Sequence, residues 1–437
     1  MPQRSARRDS RIWPSAAAAS TVLPRTPDGG LVRILYVHQF FATRESSLGL
    51  IRSYEFARRW VADGHEVTII TSSSRLPEEY DRKLFSEGEI DGIRVRSVRV
   101  HYSNYMGYGR RMWSFIMFTL GATWLASTAG KHDVVFATST PLTVGIPGWV
   151  AATIRRTPFV FEVRDLWPEA AIQMGALKRT GMLARIAKSL ERFLYRQSTD
   201  VIALSPGMAA GVVAEGVSPA NVHLVPNCSD LDLFHPGAKD EAFLGGLGIG
   251  PDAFIVGYAG AIGPSNAVEA IVPEAARTLA ERGRSDIVFV IAGDGKSLPA
   301  LQDAVDGLTN VRFVGSLPKK DVPVLTRSAD VLMTLFADVP ILATNSPNKF
   351  FDGLASGRPM IVNSPGWTKE LVEESSCGAY VPAEDGVALA DVIERFASDP
   401  ERLAQMGRNA RQLAQERFDR TLQAQRLLDI LEQAAAR

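Results

Sequence analysis

Short apolar segments recur along this chain, and each one ends in small or polar residues. The first set is VRILYVHQFF from residue 32, EVTII from 66, DVVFATS from 133, PFVFEVRD from 158, DVIALSP from 200 and VHLVPN from 222. Strands with so few polar positions belong in a sheet covered on both faces. Between the first two, Tyr54, Ala57, Trp60 and Val61 recur at helical spacing, and Gly64 is placed to end a helix. Strand, helix, strand in that order is a βαβ unit, which implies parallel pairing and a right-handed crossover. The alternation then restarts with FIVGYAGAIG from 254, IVFVIAGDG from 287, VRFVGSL from 311, DVLMTLF from 330, PMIVNS from 359 and GAYVPA from 378.

A chain of 437 residues exceeds one core, so the restart marks a second domain. The expected division is an N-terminal doubly wound domain over 32–228, a Gly-, Asp- and Pro-rich linker over 229–250, and a C-terminal doubly wound domain with terminal helices over 251–437. Residues 1–31 are rich in Arg, Ala, Ser and Pro and read as a disordered extension, with Pro14 interrupting the one weak apolar stretch a signal peptide would need. Ligands of such sheets bind beyond the strand C-termini, here in a cleft shared by two domains.

The composition narrows the function. Lys+Arg and Asp+Glu both number 48, so no basic field points to nucleic acid. Cys228 and Cys377 stand alone, which fits a reducing cytoplasmic location, and the six histidines have no metal-ligand spacing. No metal site and no cofactor is expected. The DLD at 230–232 has the look of a metal-binding DxD, but its place in the linker favours turn capping. GxGxxG is absent, as is GxxxxGK[ST], which disfavours a nicotinamide enzyme and a P-loop NTPase.

The polar candidates sit at strand ends. Gly49 lies in the opening loop. Gly260 and Gly263 belong to GAIGPSNAVE, which carries Ser265 and Asn266 into a helix expected to start near Pro264 or Ser265. Gly293 and Gly315 follow the next two strands. Such glycines admit a ligand to the backbone or only make tight βα turns. TNSPNKFFDGLASGRPMIVN, residues 344–363, places Ser346, Asn348, Lys349 and Asp352 at a helix start. Either this is an anion site, or it is a Ser/Asn-capped helix with a solvated Lys and Asp. EVRDLWPE sets Glu162, Arg164 and Asp165 at a cleft-facing strand end, where Arg164 and Asp165 either act on a substrate or pair with each other.

These motifs in this order, from HQFF…GLIRSYEFARRWVADGHEVTIIT through FEVRDLWPEAA, LSPGM, VPNCSDLDLF, GYAGAIG and IAGDG to SPNKFFDGLASGRPMIV, resemble family 4 retaining glycosyltransferases of the GT-B fold. The resemblance runs over roughly 33–430. It is nearest to bacterial enzymes of O-antigen, capsule and exopolysaccharide assembly, N-acetylfucosaminyl transferases among them. It implies a nucleotide sugar, UDP-linked, held by the C-terminal domain, and a polyprenyl-diphosphate-linked sugar as acceptor. It further implies that the Ser346–Phe350 loop meets the diphosphate, that Asp352 accepts from ribose, and that Asp165 and Arg164 serve the acceptor. Two positions depart from the family. Its paired glutamates fall on Thr344 and Asp352, and its phosphate-gripping Arg and Lys fall on Ser265 and Asn266. These departures keep open a catalytically silent sugar-nucleotide-binding partner, and the fold keeps open a nucleotide-sugar epimerase.

One further stretch, GRRMWSFIMFTLGATWLASTAGK at 109–131, has no charge between Arg111 and Lys131. It reads either as a helix buried on the sheet, or as an interfacial helix with Arg110 and Arg111 against lipid phosphates and Trp113 and Trp124 at headgroup depth. The resemblance to polysaccharide-assembly enzymes favours the second, a peripheral protein at the inner face of the cytoplasmic membrane.

Overall fold

The structure, a computed structural model, describes residues 30–44, 51–103 and 106–437. Gly49 and residues 1–29 of the expected extension lie outside them. The N-terminal domain runs β1 (Arg33–Val37), α1 (Arg52–Ala62), β2 (Glu66–Ser72), β3 (Phe85–Ile90), β4 (Ile93–Val98), α2 (Tyr108–Ser127), β5 (Val134–Thr138), α3 (Gly145–Arg155), β6 (Phe159–Val163), α4 (Glu169–Gln173), α5 (Met182–Gln197), β7 (Asp200–Ala203), α6 (Pro206–Ala214) and β8 (Val222–Leu224). Its eight strands lie in the order β3-β4-β2-β1-β5-β6-β7-β8. All neighbours are parallel except β3 and β4.

The second domain runs α7 (Glu241–Gly246), β9 (Phe254–Ala259), α8 (Val268–Glu281), β10 (Ile287–Ala292), α9 (Leu298–Ala304), β11 (Val311–Gly315), α10 (Val322–Ser328), β12 (Val331–Thr334), α11 (Asn348–Ala355), β13 (Met360–Val362), α12 (Trp367–Glu374), β14 (Gly378–Tyr380), α13 (Gly386–Ala397) and α14 (Pro400–Arg417), and the chain ends in α15 (Arg420–Ala435). Its sheet is six-stranded, ordered β11-β10-β9-β12-β13-β14, and parallel throughout. Strands β5, β6 and β10 are buried at every position because helices cover both faces. In each sheet the strand order reverses at the first strand, so β1 and β9 carry the switch points where ligands bind.

The hairpin β3–β4 was not among the expected strands. Asp91 and Gly92 occupy its two-residue turn with φ of 50° and 76°, the left-handed pair that an Asp-Gly turn favours. Two expected boundaries shift. The stretch over 229–250 is not a free linker, because Phe234, Leu244 and Ile249 are buried in the C-terminal core and α7 forms within it. Nor do all the terminal helices belong to the second domain. Leu427, Leu428, Leu431 and Ala434 of α15 pack with Tyr36, Trp60 and Val67 of the first, and the Trp60 indole donates to the Ala424 carbonyl at 2.9 Å. The chain therefore crosses between domains twice, side by side. Ser229 N donates to the Phe418 carbonyl and Arg420 N to the Ser229 carbonyl, both at 3.0 Å.

Candidate functional site

Beyond the C-terminal end of β9, the Lys349 side chain rises from the second residue of α11 and lies against the loop that starts at Gly260. Its ammonium donates to the Tyr258 hydroxyl and to Asn266 Oδ1, each at 2.7 Å, and stands 4.3 Å from the Tyr258 ring centroid. A Cβ at Gly260 would come within 3.2 Å of Nζ, so a side chain there would crowd the cation. Among the described residues no carboxylate pairs with Lys349. Burial alone lowers its pKa to about 7. Helix α11 begins at Pro347 as N-cap with no side chain capping it, so the expected Ser/Asn cap does not form. The side chain of Asn348 has no hydrogen-bond partner among the described residues. The α11 start thus places a lysine with no carboxylate partner among the described residues beside backbone N–H groups that no side chain caps.

The flanking glycines divide by role. Gly263 opens onto space, with no atom within 4 Å of a Cβ built on it. Gly293, at φ 152°, would drive a Cβ to 1.9 Å from the Gly260 carbonyl oxygen, so the contact of two βα loops there already requires a glycine. Gly315, at φ 78°, makes a left-handed turn whose carbonyl accepts from Gly293 N at 2.8 Å. Ser265 leads into an irregular segment, and α8 starts at Val268 rather than near Pro264 or Ser265, after Ala267 in the left-handed region.

Two expected contacts are already engaged within the protein. Ser346 Oγ accepts from Asn227 N at 3.1 Å, and its carbonyl accepts from Asn227 Nδ2 at 2.6 Å, so Ser346 ties the loop to the interdomain crossing. Asp352 is 5% exposed, with one carboxylate oxygen on the Ser229 hydroxyl at 2.8 Å and the other on the Lys319 ammonium. In this conformation it is no open acceptor for ribose hydroxyls, because a buried cation holds it. Lys319 in turn lies 4.5 Å from the Phe234 ring centroid. Thr344 serves the domain contact. Its carbonyl accepts from the Ser205 hydroxyl, and its methyl packs on Gly207, where a Cβ would come within 2.8 Å. Gln173 Oε1 accepts from Ile341 N at 2.9 Å on the same flank. The DLD sequence binds cations of another kind, since Asp230 pairs with Arg44 at 2.8 Å.

On the N-terminal domain, Arg164 and Asp165 follow β6 but do not pair with each other. Asp165 accepts from the Thr140 hydroxyl at 3.0 Å, and burial raises its pKa against the opposing pull of Thr140 and Arg164. Arg164 N donates to Ser139 Oγ at 2.9 Å, and its guanidinium has no carboxylate partner among the described residues. Glu162, expected at the cleft, is wholly buried instead, paired with Arg52 at 2.9 Å, and Arg52 also donates to the carbonyls of Val225 and Pro226. The sequence reading missed Tyr258 and Lys319. Tyr258 lay within the quoted strand end, but a tyrosine there reads as core until its hydroxyl is seen beside a lysine.

Helix α2 has one face buried on the sheet, as the first of its expected readings requires, and an apolar row left exposed. Phe118, Ala122, Leu125 and Ala126 are buried on the sheet, while Trp113, Ile116, Leu120 and Trp124 form an exposed row at spacings of three and four. Arg110 is exposed near its start, and Arg111 lies 6.0 Å over the Tyr102 ring. No described helix is long and apolar enough to cross a membrane.

Residues 51–228 match the family described as a glycosyl transferase 4-like domain, and residues 253–399 match glycosyl transferases group 1. D-inositol 3-phosphate glycosyltransferase 1 of Catenulispora acidiphila is 25% identical over 82% of this chain and 84% of its own length. Among solved structures, sucrose-phosphate synthase from Thermosynechococcus elongatus superposes with a TM-score of 0.73 at 18% identity, covering 93% of this chain and 99% of that one. Anabaena Alr3699/HepE in complex with UDP-glucose gives 0.67 at 18% identity, covering 92% and 100%. The two-sheet architecture is therefore the GT-B fold.

Proposed function

We propose that this chain, a glycosyltransferase of the GT-B type, moves a sugar from a UDP donor to a lipid-linked saccharide in cell-surface polysaccharide assembly, with retention of anomeric configuration. The observation that carries the donor half is Lys349, a desolvated ammonium with no counter-ion among the described residues, set at an uncapped helix start at the switch point of the second sheet. A diphosphate supplies the missing negative charge. As the bond from the anomeric carbon to the leaving phosphate oxygen breaks, charge grows where Lys349 and the α11 N–H groups stand.

In this reading Gly260, Gly263, Ser265 and Asn266 line the diphosphate and donor sugar, and Gly315 lies by the base. The acceptor hydroxyl attacks on the face the diphosphate leaves, and its proton passes to the departing phosphate oxygen. Asp165, whose pKa burial raises, orients that hydroxyl. The row Trp113, Ile116, Leu120 and Trp124, with Arg110 and Arg111 near its start, rests on the anionic inner face of the cytoplasmic membrane and keeps the enzyme near a lipid-borne acceptor. Kinship to O-antigen or N-acetylfucosaminyl enzymes in particular is part of the same proposal.

The test is turnover of labelled UDP-sugars with a polyprenyl-diphosphate-linked saccharide, the product's anomeric coupling being read by NMR. A glycoside of retained configuration is expected. An epimerised nucleotide without glycoside, or a Lys349→Ala protein that binds UDP undiminished, would overturn the reading.

A further inference from the structure

The end of β1 holds a polar group with nothing to bind. Gln39 is fully buried, yet among the described residues neither its Nε2 nor its Oε1 has a hydrogen-bond partner. The surrounding backbone is not slack. The Gln39 carbonyl accepts from Ser72 N at 3.2 Å, from Ser72 Oγ at 2.7 Å and from Thr71 Oγ1 at 3.1 Å. A buried amide left unpaired is costly, and a bound ion or ligand that completes it is one reason to keep one.

Two guanidinium groups flank the same strand end without counter-ions. Arg75 closes the short turn after β2 and stands 5.3 Å from the Phe40 ring centroid. Arg164 follows β6. Among the described residues neither has a carboxylate partner, and Asp165, next along the chain, turns to Thr140. Between them His38 is buried, with Nδ1 2.8 Å from the Ser53 hydroxyl. Burial and both arginines push its pKa well below the usual range, so it adds no positive charge of its own. Arg75 itself is depressed by burial and by Arg164.

Resting on the transferase reading above, we infer that Arg75, Arg164 and the Gln39 amide hold a phosphate group carried by the acceptor. Two guanidinium groups offer about ten N–H donors and two charges, which a phosphate dianion or a diphosphate matches and a single carboxylate does not. A run of aromatic rings connects this strand end to α2. Phe40 lies 4.5 Å from Tyr102, and Tyr102 lies 5.9 Å from Phe115 of α2. On this inference the organic chain carried by the phosphate leaves along the exposed Trp113 row.

The experiment titrates inorganic diphosphate into protein saturated with UDP, so that the donor site is filled. A second binding event is expected in the parent and should weaken at least 10-fold in Arg75→Gln and in Arg164→Gln, while UDP affinity and the melting temperature stay unchanged. Diphosphate that fails to bind the UDP-saturated parent, or binds both variants as tightly as the parent, overturns the inference. Should UDP itself not bind, the donor reading fails separately. Diphosphate titration of Arg75→Gln against Lys349→Ala then still decides, because only loss in the arginine variant supports the site. Farnesyl diphosphate in phosphatidylcholine vesicles provides the second arm. Binding at least 10-fold tighter than that of inorganic diphosphate marks a lipid-borne acceptor, and equal binding marks a soluble phosphorylated one; either supports the site if the arginine variants abolish it.

Discussion

Lys349 is charged or neutral according to what stands in front of it. Its pKa of about 7 in the folded chain lies below the ordinary 10.5. Between those values the unfolded chain holds a proton that the folded one lacks, so this group's contribution to stability rises with pH across that window. A bound diphosphate reverses the preference, because its charge restores the ammonium. At pH 8, UDP binding should therefore take up close to one proton, measured by calorimetry in buffers of differing ionisation enthalpy. Lys349→Met should take up much less, and equal uptake would remove Lys349 from the diphosphate site. Asp352 makes a different residue-scale argument, because its loss leaves the buried Lys319 ammonium without the carboxylate that pairs with it. Asp352→Ala should cost about 3–5 kcal/mol in urea unfolding, the scale for breaking a buried pair, and Lys319→Met with Asp352→Leu should recover most of it. A stable Asp352→Ala that has merely lost UDP affinity would restore the ribose role.

At the scale of elements, an amphipathic pattern tells which face is buried but not always what it is buried against. The strands of both sheets were legible because residues such as Val134–Thr138 and Ile287–Ala292 are apolar at nearly every position. The hairpin β3–β4 was not, because FSEGEI of β3 lies at the sheet edge with both its glutamates in solvent. In the site, Lys349 could be read from its place at a helix start. That Ser346 and Asp352 are spoken for by Asn227 and Lys319 could not, since those partners are 119 and 33 residues away. Gln39 and Arg75 gave no signal for a related reason, because lacking a partner is a fact about surroundings in space. Helix α2 was ambiguous in sequence because it is apolar on its exposed face as well as on its buried one. If its outer face meets lipid, Arg110→Glu with Arg111→Glu should remove roughly 2 kcal/mol of attraction to an anionic surface, at ~1 kcal/mol per basic residue. Flotation with phosphatidylserine liposomes should then fall about 30-fold with UDP binding intact. Leu120→Ser should also weaken flotation without any change in charge. A parent protein that never floats ends the membrane role.

The whole molecule is bound together at more than its crossing point. Phe336, Ile341 and Leu342 of the second domain pack with Leu166, Ala170 and Met174 of the first, and the Gln173–Ile341 and Ser205–Thr344 bonds lie on the same flank. Thr344 is part of that contact, which gives the position a role in joining the domains. With the flank already joined, UDP should change small-angle scattering little, whereas Leu342→Asp should open the flank and raise the radius of gyration. The deeper tie is α15, whose sequence position places it after the second domain while its leucines fill the core of the first. Burying a leucine contributes roughly 1.5–3 kcal/mol, so Leu427, Leu428 and Leu431 together rival the ~5–15 kcal/mol net stability of an ordinary domain. A chain ending at Asp419 should therefore lose the fold of the N-terminal domain and keep that of the C-terminal one. Hydrogen exchange separates the two outcomes strand by strand. Amides of β1, β2 and β5 should exchange at unfolded rates in the truncated chain while those of β9 and β10 stay protected, and a peptide of residues 420–437 added in trans should restore part of the lost protection. Protection of β1 and β2 unchanged by the truncation would mean that α15 only covers a core the first domain completes alone.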